Sequence, residues 1–164
     1  DSMYGKGSRF WFEIELPEIN ELNISGCTKV NIEGFDSNEN LKLNINGASN
    51  LKMNSYSKNI DLNINGASKI NFIENSNIIN SLNIEINGAS KADLSEIKIK
   101  SANVKISGAS YLKLNMENKL DVKASGMSTV EYIGNPSIKK QVEDLSLLKK
   151  TEIDETTDSY SGEF

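Results

Sequence analysis

Gly5, Gly7 and Ser8, in the stretch YGKGS, are the residues whose spacing comes nearest to chemistry. A Gly-x-Gly-Ser turn can aim backbone N–H groups at phosphate, but a turn this short needs partners to grip it. Carboxylates are the other candidates. Asp61, Glu85, Asp93 and Asp121 each fall at an outward strand position, isolated between Lys and Asn. Spacing alone neither makes nor excludes a glycosidase-type pair, but no pair recurs in register, and charges so placed form a solvated face. The chain has no His, so Ser-His-Asp and Cys-His relays are impossible and no metal site can use imidazole. Cys27 is the only cysteine, which leaves no internal disulfide. It is expected to be a small buried side chain. No catalytic residue, metal ligand set or cofactor is assigned, and the chain is expected to be non-enzymatic.

Composition narrows the partners. The 164 residues are 37% hydrophobic and 25% charged, with a net charge of -5 and a pI near 4.9. That balance disfavours nucleic acid, whose affinity rests on clustered Lys and Arg. No run of about 18 apolar residues exists to span a membrane. With neither an initiator Met nor a secretory signal at its start, the chain is expected to be an excised piece or a mature product.

The elements that carry these residues come from a repeat. The octet LNINGASN at 43–50 returns as LNINGASK at 62–69 and as IEINGASK at 84–91. Aligned on glycine, six copies follow at Gly26, Gly47, Gly66, Gly88, Gly108 and Gly126, separated by 21, 19, 22, 20 and 18 residues. A recurring period near 20 marks a repeat architecture. Leu41, Leu43 and Ile45 alternate with polar residues before one glycine, and Leu51 and Met53 do so after it. Period two over such short runs marks half-buried strands, so residues 20–134 are expected to be all-β.

Two architectures fit this pattern. In an antiparallel hairpin meander each Asn-Gly is a two-residue turn. Such a turn at Asn46-Gly47 pairs Lys42 with Leu51 and sets polar against apolar. A three-residue loop restores the phase but faces Lys42 with Lys52, and Asp121 with Glu131, which is mildly destabilising. A β-helix or solenoid of about six coils, the preferred reading, is expected to avoid both costs by stacking equivalent residues rung on rung. Glycines then form a column at one corner, where only Gly adopts tight or left-handed backbone cheaply. Ile45, Ile64, Ile86 and Ile106 form a buried column beside it. Asn44, Asn46, Asn63, Asn65, Asn83 and Asn87 either build hydrogen-bonded ladders or serve as polar turn and surface residues. A coil burying about five apolar side chains, at roughly 1.5–3 kcal/mol each, cannot order itself alone and depends on its neighbours.

The copies ISGASYLKL and ASGMSTVEYIGNPSI resemble the head GIN domain of auto-transporter adhesins. That family is built from strand–(Ser/Asn)-Gly-Ala-Ser–strand units and closes on one like Ser125-Gly126-Met127-Ser128, followed by Gly134-Asn135-Pro136. The resemblance covers about residues 20–142 and implies a β-helical, extracytoplasmic module. The chain departs from the pattern where KQVEDLSLLKK replaces a further Gly-bearing strand. A second stretch, YGKGSRFWFEIELPE at 4–18, resembles the end of a sensor histidine kinase's ATP-binding domain. Gly5, Gly7 and Ser8 match the lid turn, and the strand Phe10–Leu16 would finish that domain's sheet. The same stretch also reads as an amphipathic strand capping the solenoid.

The expected organisation is 1–18 as the end of a kinase domain or a capping strand, 19–136 as solenoid repeats, 137–150 as a capping helix and 151–164 as a disordered acidic tail. The helix rests on Ile138, Val142, Leu145 and Leu148, spaced as one helical face. The preferred function is a non-enzymatic repeat module for binding, adhesion or structural spacing, with an unknown protein or surface partner. The alternative is a C-terminal regulatory or scaffolding part of a sensor histidine kinase. The first places the module outside the cytoplasm, the second within it.

Overall fold

The structure is a computed structural model and describes residues 12–73 and 77–152; of Asp36, Ser37 and Asn38 only the backbone is described. Its strands are β1 (Glu21–Gly26), β2 (Lys29–Gly47), β3 (Asn50–Gly66), β4 (Lys69–Phe72), β5 (Ile78–Gly88), β6 (Lys91–Gly108), β7 (Tyr111–Ala124), β8 (Thr129–Gly134), β9 (Ser137–Val142) and β10 (Leu147–Lys150). All pairings among them are parallel. A hairpin meander would pair antiparallel, so the chain is a β-solenoid. Six turns succeed one another: β2, β3, β4 with β5, β6, β7, and β8 with β9; β1 and β10 are half-turns at the ends.

Each turn has two arms meeting at the glycine corner. Glycine stacks on glycine from Gly26 through Gly47, Gly66 and Gly88 to Gly108. The alternation of each arm sends every second side chain inward. Ile24, Ile45, Ile64, Ile86, Ile106 and Ala124 form one buried column. Leu43, Leu62, Ile84, Val104 and Val122 form the next. Between β2 and β3 the register shifts at Glu33/Asp36 and Ser37/Asn40, and between β6 and β7 at Leu94/Lys98 and Ile99/Ser101. The second corner therefore absorbs the uneven repeat length and leaves the glycine corner in register.

Two constraints act at the glycine corner. Gly66 has φ +116° and Gly88 +119°, backbone that side chains rarely adopt. A Cβ on Gly47 would also sit 2.5 Å from the Gly26 carbonyl oxygen, and Gly66 and Gly108 crowd the same atom of the turn before them. That carbonyl takes two hydrogen bonds from the next turn. Ala67 N–H donates to Gly47 O at 2.9 Å and Ser68 Oγ donates to it at 3.0 Å. The pattern recurs at Ser49, Ser90, Ser110 and Ser128, all buried. Three of these serines also receive from the turn before: Ser49 N–H donates to Ser68 Oγ at 3.1 Å, Ser68 N–H to Ser90 Oγ at 3.0 Å and Ser90 N–H to Ser110 Oγ at 3.3 Å.

Four expectations need correction. The capping helix over 137–150 is absent; the stretch continues the solenoid, with Ile138 on Leu120, Val142 on Ala124 and Leu148 on Val130. It contains a seventh corner, Asp144-Leu145-Ser146. Asp144 takes φ 57°, its carboxylate accepts from Gly126 N–H at 3.0 Å, and Ser146 Oγ donates to Gly126 O at 3.4 Å. Asp tolerates left-handed backbone better than most residues. Lys140 and Lys150 occupy lanes that Val122 and Tyr132 fill in earlier turns. These charges hid the alternation, and lysines in inward lanes at a sheet edge discourage edge-to-edge pairing. Cys27 is exposed, not buried, because the residue after each glycine points out of the corner. Stacking does not abolish like-charge contacts either, since Lys69 faces Lys91 and Lys105 faces Lys123. Finally, residues 12–16 of the N-terminal stretch form no strand; they run beside Lys29–Phe35. The tail from 153 lies outside the described residues.

The corner hydroxyls can be tested against an interior one. Ser57 Oγ is buried and has no partner among the described residues. Ser68→Ala strips the acceptor from Ser49 N–H and one donor from Gly47 O, and should cost about 1–3 kcal/mol. Ser57→Ala removes an unsatisfied group and should leave stability unchanged or raised. Denaturant melts of the two variants check this; equal losses would contradict it.

Candidate functional site

With one side of every arm committed to the core, function falls to the outward lanes. The arm before the glycine carries asparagine ladders. Asn44 Nδ2 donates to Asn23 Oδ1 at 2.7 Å and Asn63 Nδ2 to Asn44 Oδ1 at 3.0 Å. In the neighbouring lane Asn65 donates to Asn46, Asn87 to Asn65, and Ser107 to Asn87. Asn103 donates to Asn83 at 2.9 Å. The ladders foreseen as one option at Asn44, Asn46, Asn63, Asn65, Asn83 and Asn87 are therefore formed.

The arm after the glycine is different. Its first outward lane runs Lys29, Asn50, Lys69, Lys91, Tyr111, Thr129. The second runs Asn31, Lys52, Asn71, Asp93, Lys113, Glu131. Lysine and asparagine thus alternate between lanes over three turns. An open groove of about 480 Å³ is lined there by Lys29, Asn31, Asn50, Lys52, Lys69 and Asn71, with Val30. Among the described residues Lys29, Lys52 and Lys69 form no ion pair; the pairs present are Lys42–Glu21 at 3.3 Å and Lys58–Glu39 at 3.5 Å. Sequence reasoning missed this face. Its signal was the residue three after each glycine, which reads Lys, Asn, Lys, Lys in the first four copies.

The face is closed at one end by a small polar network. Lys91 Nζ lies 5.1 Å from the centroid of the Tyr111 ring, a cation–π arrangement. The Tyr111 hydroxyl donates to Glu131 Oε2 at 2.8 Å, and Thr151 Oγ1 donates to the same oxygen at 3.4 Å. Burial pushes the Tyr111 phenol up to about 12, helped by the hydrogen bond and negative charge of Glu131 and by the charge of Asp93.

Gly5, Gly7 and Ser8 lie outside the described residues. The carboxylates do not converge. In their lanes Asp61 stands between Lys42 and Asn83, Glu85 between Asn63 and Lys105, Asp93 between Asn71 and Lys113, and Asp121 between Asn103 and Lys139. Among the described residues no group of three His, Cys, Asp or Glu is placed to hold a metal ion.

Residues 2–136 match the model of the family described as "Putative auto-transporter adhesin, head GIN domain". The chain belongs to that family. The match takes in the stretch that resembles a kinase lid, and nothing among the described residues bears on a kinase. No curated protein and no solved structure matches the chain. In this GIN-domain chain the repeated Gly-Ala-Ser unit is the corner just described. The departure noted after Pro136 is a further turn whose corner glycine is replaced by Asp144.

Tyr111 gives the face a titratable reporter. A phenol with its pKa raised above the unfolded value of about 10 stabilises the fold fully below that pH and loses the contribution as pH rises through about 12. Ultraviolet difference titration of the protein against Tyr111→Phe should show one phenol ionising near 12. Glu131→Gln should lower that value yet leave it above the ordinary one, because burial is the larger cause. A Tyr111 that titrates at the ordinary phenol value of about 10 would contradict the network.

Proposed function

We propose that the chain is a non-enzymatic module for binding and adhesion, which makes contact through the outward lanes of its coils. Membership of an adhesin head family supports this reading. The observation that carries it is the in-register exterior: identical or alternating polar side chains repeat turn after turn, about 4.8 Å apart, on a frame held by the corner column. Such an exterior favours an extended partner over a small enclosed ligand, which prefers a concave pocket.

Beads coated with the full chain should attach to at least one surface among intact bacterial cells, a polysaccharide film and a protein film, and soluble protein should compete. Attachment no greater than that of albumin-coated beads on all three would overturn the proposal.

A further inference from the structure

We infer that the face carrying Lys29, Lys52, Lys69 and Lys91, with Asn50 and Asn71 between them, binds an acidic polysaccharide laid along the solenoid axis. The inference rests on the adhesive reading above and names its partner.

Charge is the first argument. The chain carries a net charge of -5, yet this face gathers lysines that no carboxylate neutralises among the described residues. Lys69 and Lys91 stand directly opposite each other on paired strands. Like charges so placed are destabilising in the free protein, and a polyanion across them removes the cost. Glu13, Glu15 and Glu33 border the first turn beside Lys29, and Asp93 shares the turn of Lys91. The positive centre therefore lies over Lys52 and Lys69.

The asparagines decide which polyanion. An Asn side chain both donates and accepts, as a sugar hydroxyl does, while the lysine ammonium suits a sugar carboxylate. Alternation of the two from turn to turn matches a polymer that presents hydroxyls and carboxylates in repeat. A nucleic acid strand would want aromatic platforms for its bases. The lanes from Lys29 to Lys91 and from Asn31 to Asp93 hold none, and the Tyr111 ring is already covered by Lys91. A folded protein partner would want an apolar or aromatic anchor at the centre, and the lanes from Lys29 to Lys91 and from Asn31 to Asp93 contain no outward apolar residue.

The test is calorimetric titration of the full chain with polygalacturonate, and with dextran and poly-glutamate of matched length. Polygalacturonate should bind saturably, with affinity that falls as salt screens the lysines. The double variant K52E/K69E should weaken binding at least about tenfold, and N50A/N71A should weaken it measurably with no change of charge. Lys123→Glu, on the other arm, should leave it unchanged. All these side chains point outward, and thermal melts confirm that each variant is folded; should K52E/K69E misfold, N50A/N71A decides. Dextran should not bind, and poly-glutamate should bind at least about tenfold more weakly. No binding of polygalacturonate overturns the inference, as do K52E/K69E or N50A/N71A binding like the parent, and poly-glutamate binding equally well. If beads still attach to some surface while polygalacturonate fails, only this inference falls; if no surface is bound, the adhesive reading falls first.

Discussion

One carbonyl group per turn holds this structure in register. The corner glycine offers its oxygen to the backbone N–H and the serine hydroxyl of the turn that follows, as Gly47 does to Ala67 and Ser68. The approach is so close that no Cβ fits between successive glycines from Gly47 onward. Glycine and serine are thus bound to each other's positions. Glycine is there because the chain comes close with positive φ, and serine because a buried corner needs its oxygen as both donor and acceptor. Everything else follows this column. The inward lanes align because the corners align, and leucine, isoleucine and valine can then stack without specific partners.

The same constraint frees the exterior. Since corner and core fix the backbone, outward residues are chosen by solvent and by partners alone. The two arms have used that freedom differently. One builds asparagine ladders that satisfy themselves along the axis. The other leaves Lys29, Lys52 and Lys69 without an ion pair among the described residues and gathers them along one groove. Self-satisfied polar lanes stabilise; a lane of unneutralised lysines is the place where a partner of opposite sign is proposed. This asymmetry is what sets the proposed binding face apart from the ladder arm in a protein whose repeats otherwise look alike.

Much of this was legible in the sequence. Glycine spacing and period-two wings predict a β-solenoid of about six coils with Ile45, Ile64, Ile86 and Ile106 in one column, and the structure has both. The serine column was not legible, because a small polar residue beside a glycine reads as turn surface until the next turn is placed upon it. Cys27 misled for the complementary reason: it shares its position with exposed alanines. The last turn read as helix because Asp144 stands for glycine and Lys140 for an aliphatic residue, and the end of a stack no longer needs what its middle needs. The lysine face was hidden because adjacency across turns is invisible until the register is known.

The most direct measurement of the account removes one turn. Asp61 pairs with Asn83 and Leu62 with Ile84, so deletion of 62–83 joins Asp61 to Ile84 with every lane preserved and brings Gly47 onto Gly88. Energies in such arrays are roughly sums of turn and interface terms. The account predicts a protein that keeps its β circular dichroism spectrum and melts in one cooperative transition at lower stability. An unfolded or aggregated product would contradict it, because it would show that these strands depend on fixed partners and not on position in a stack.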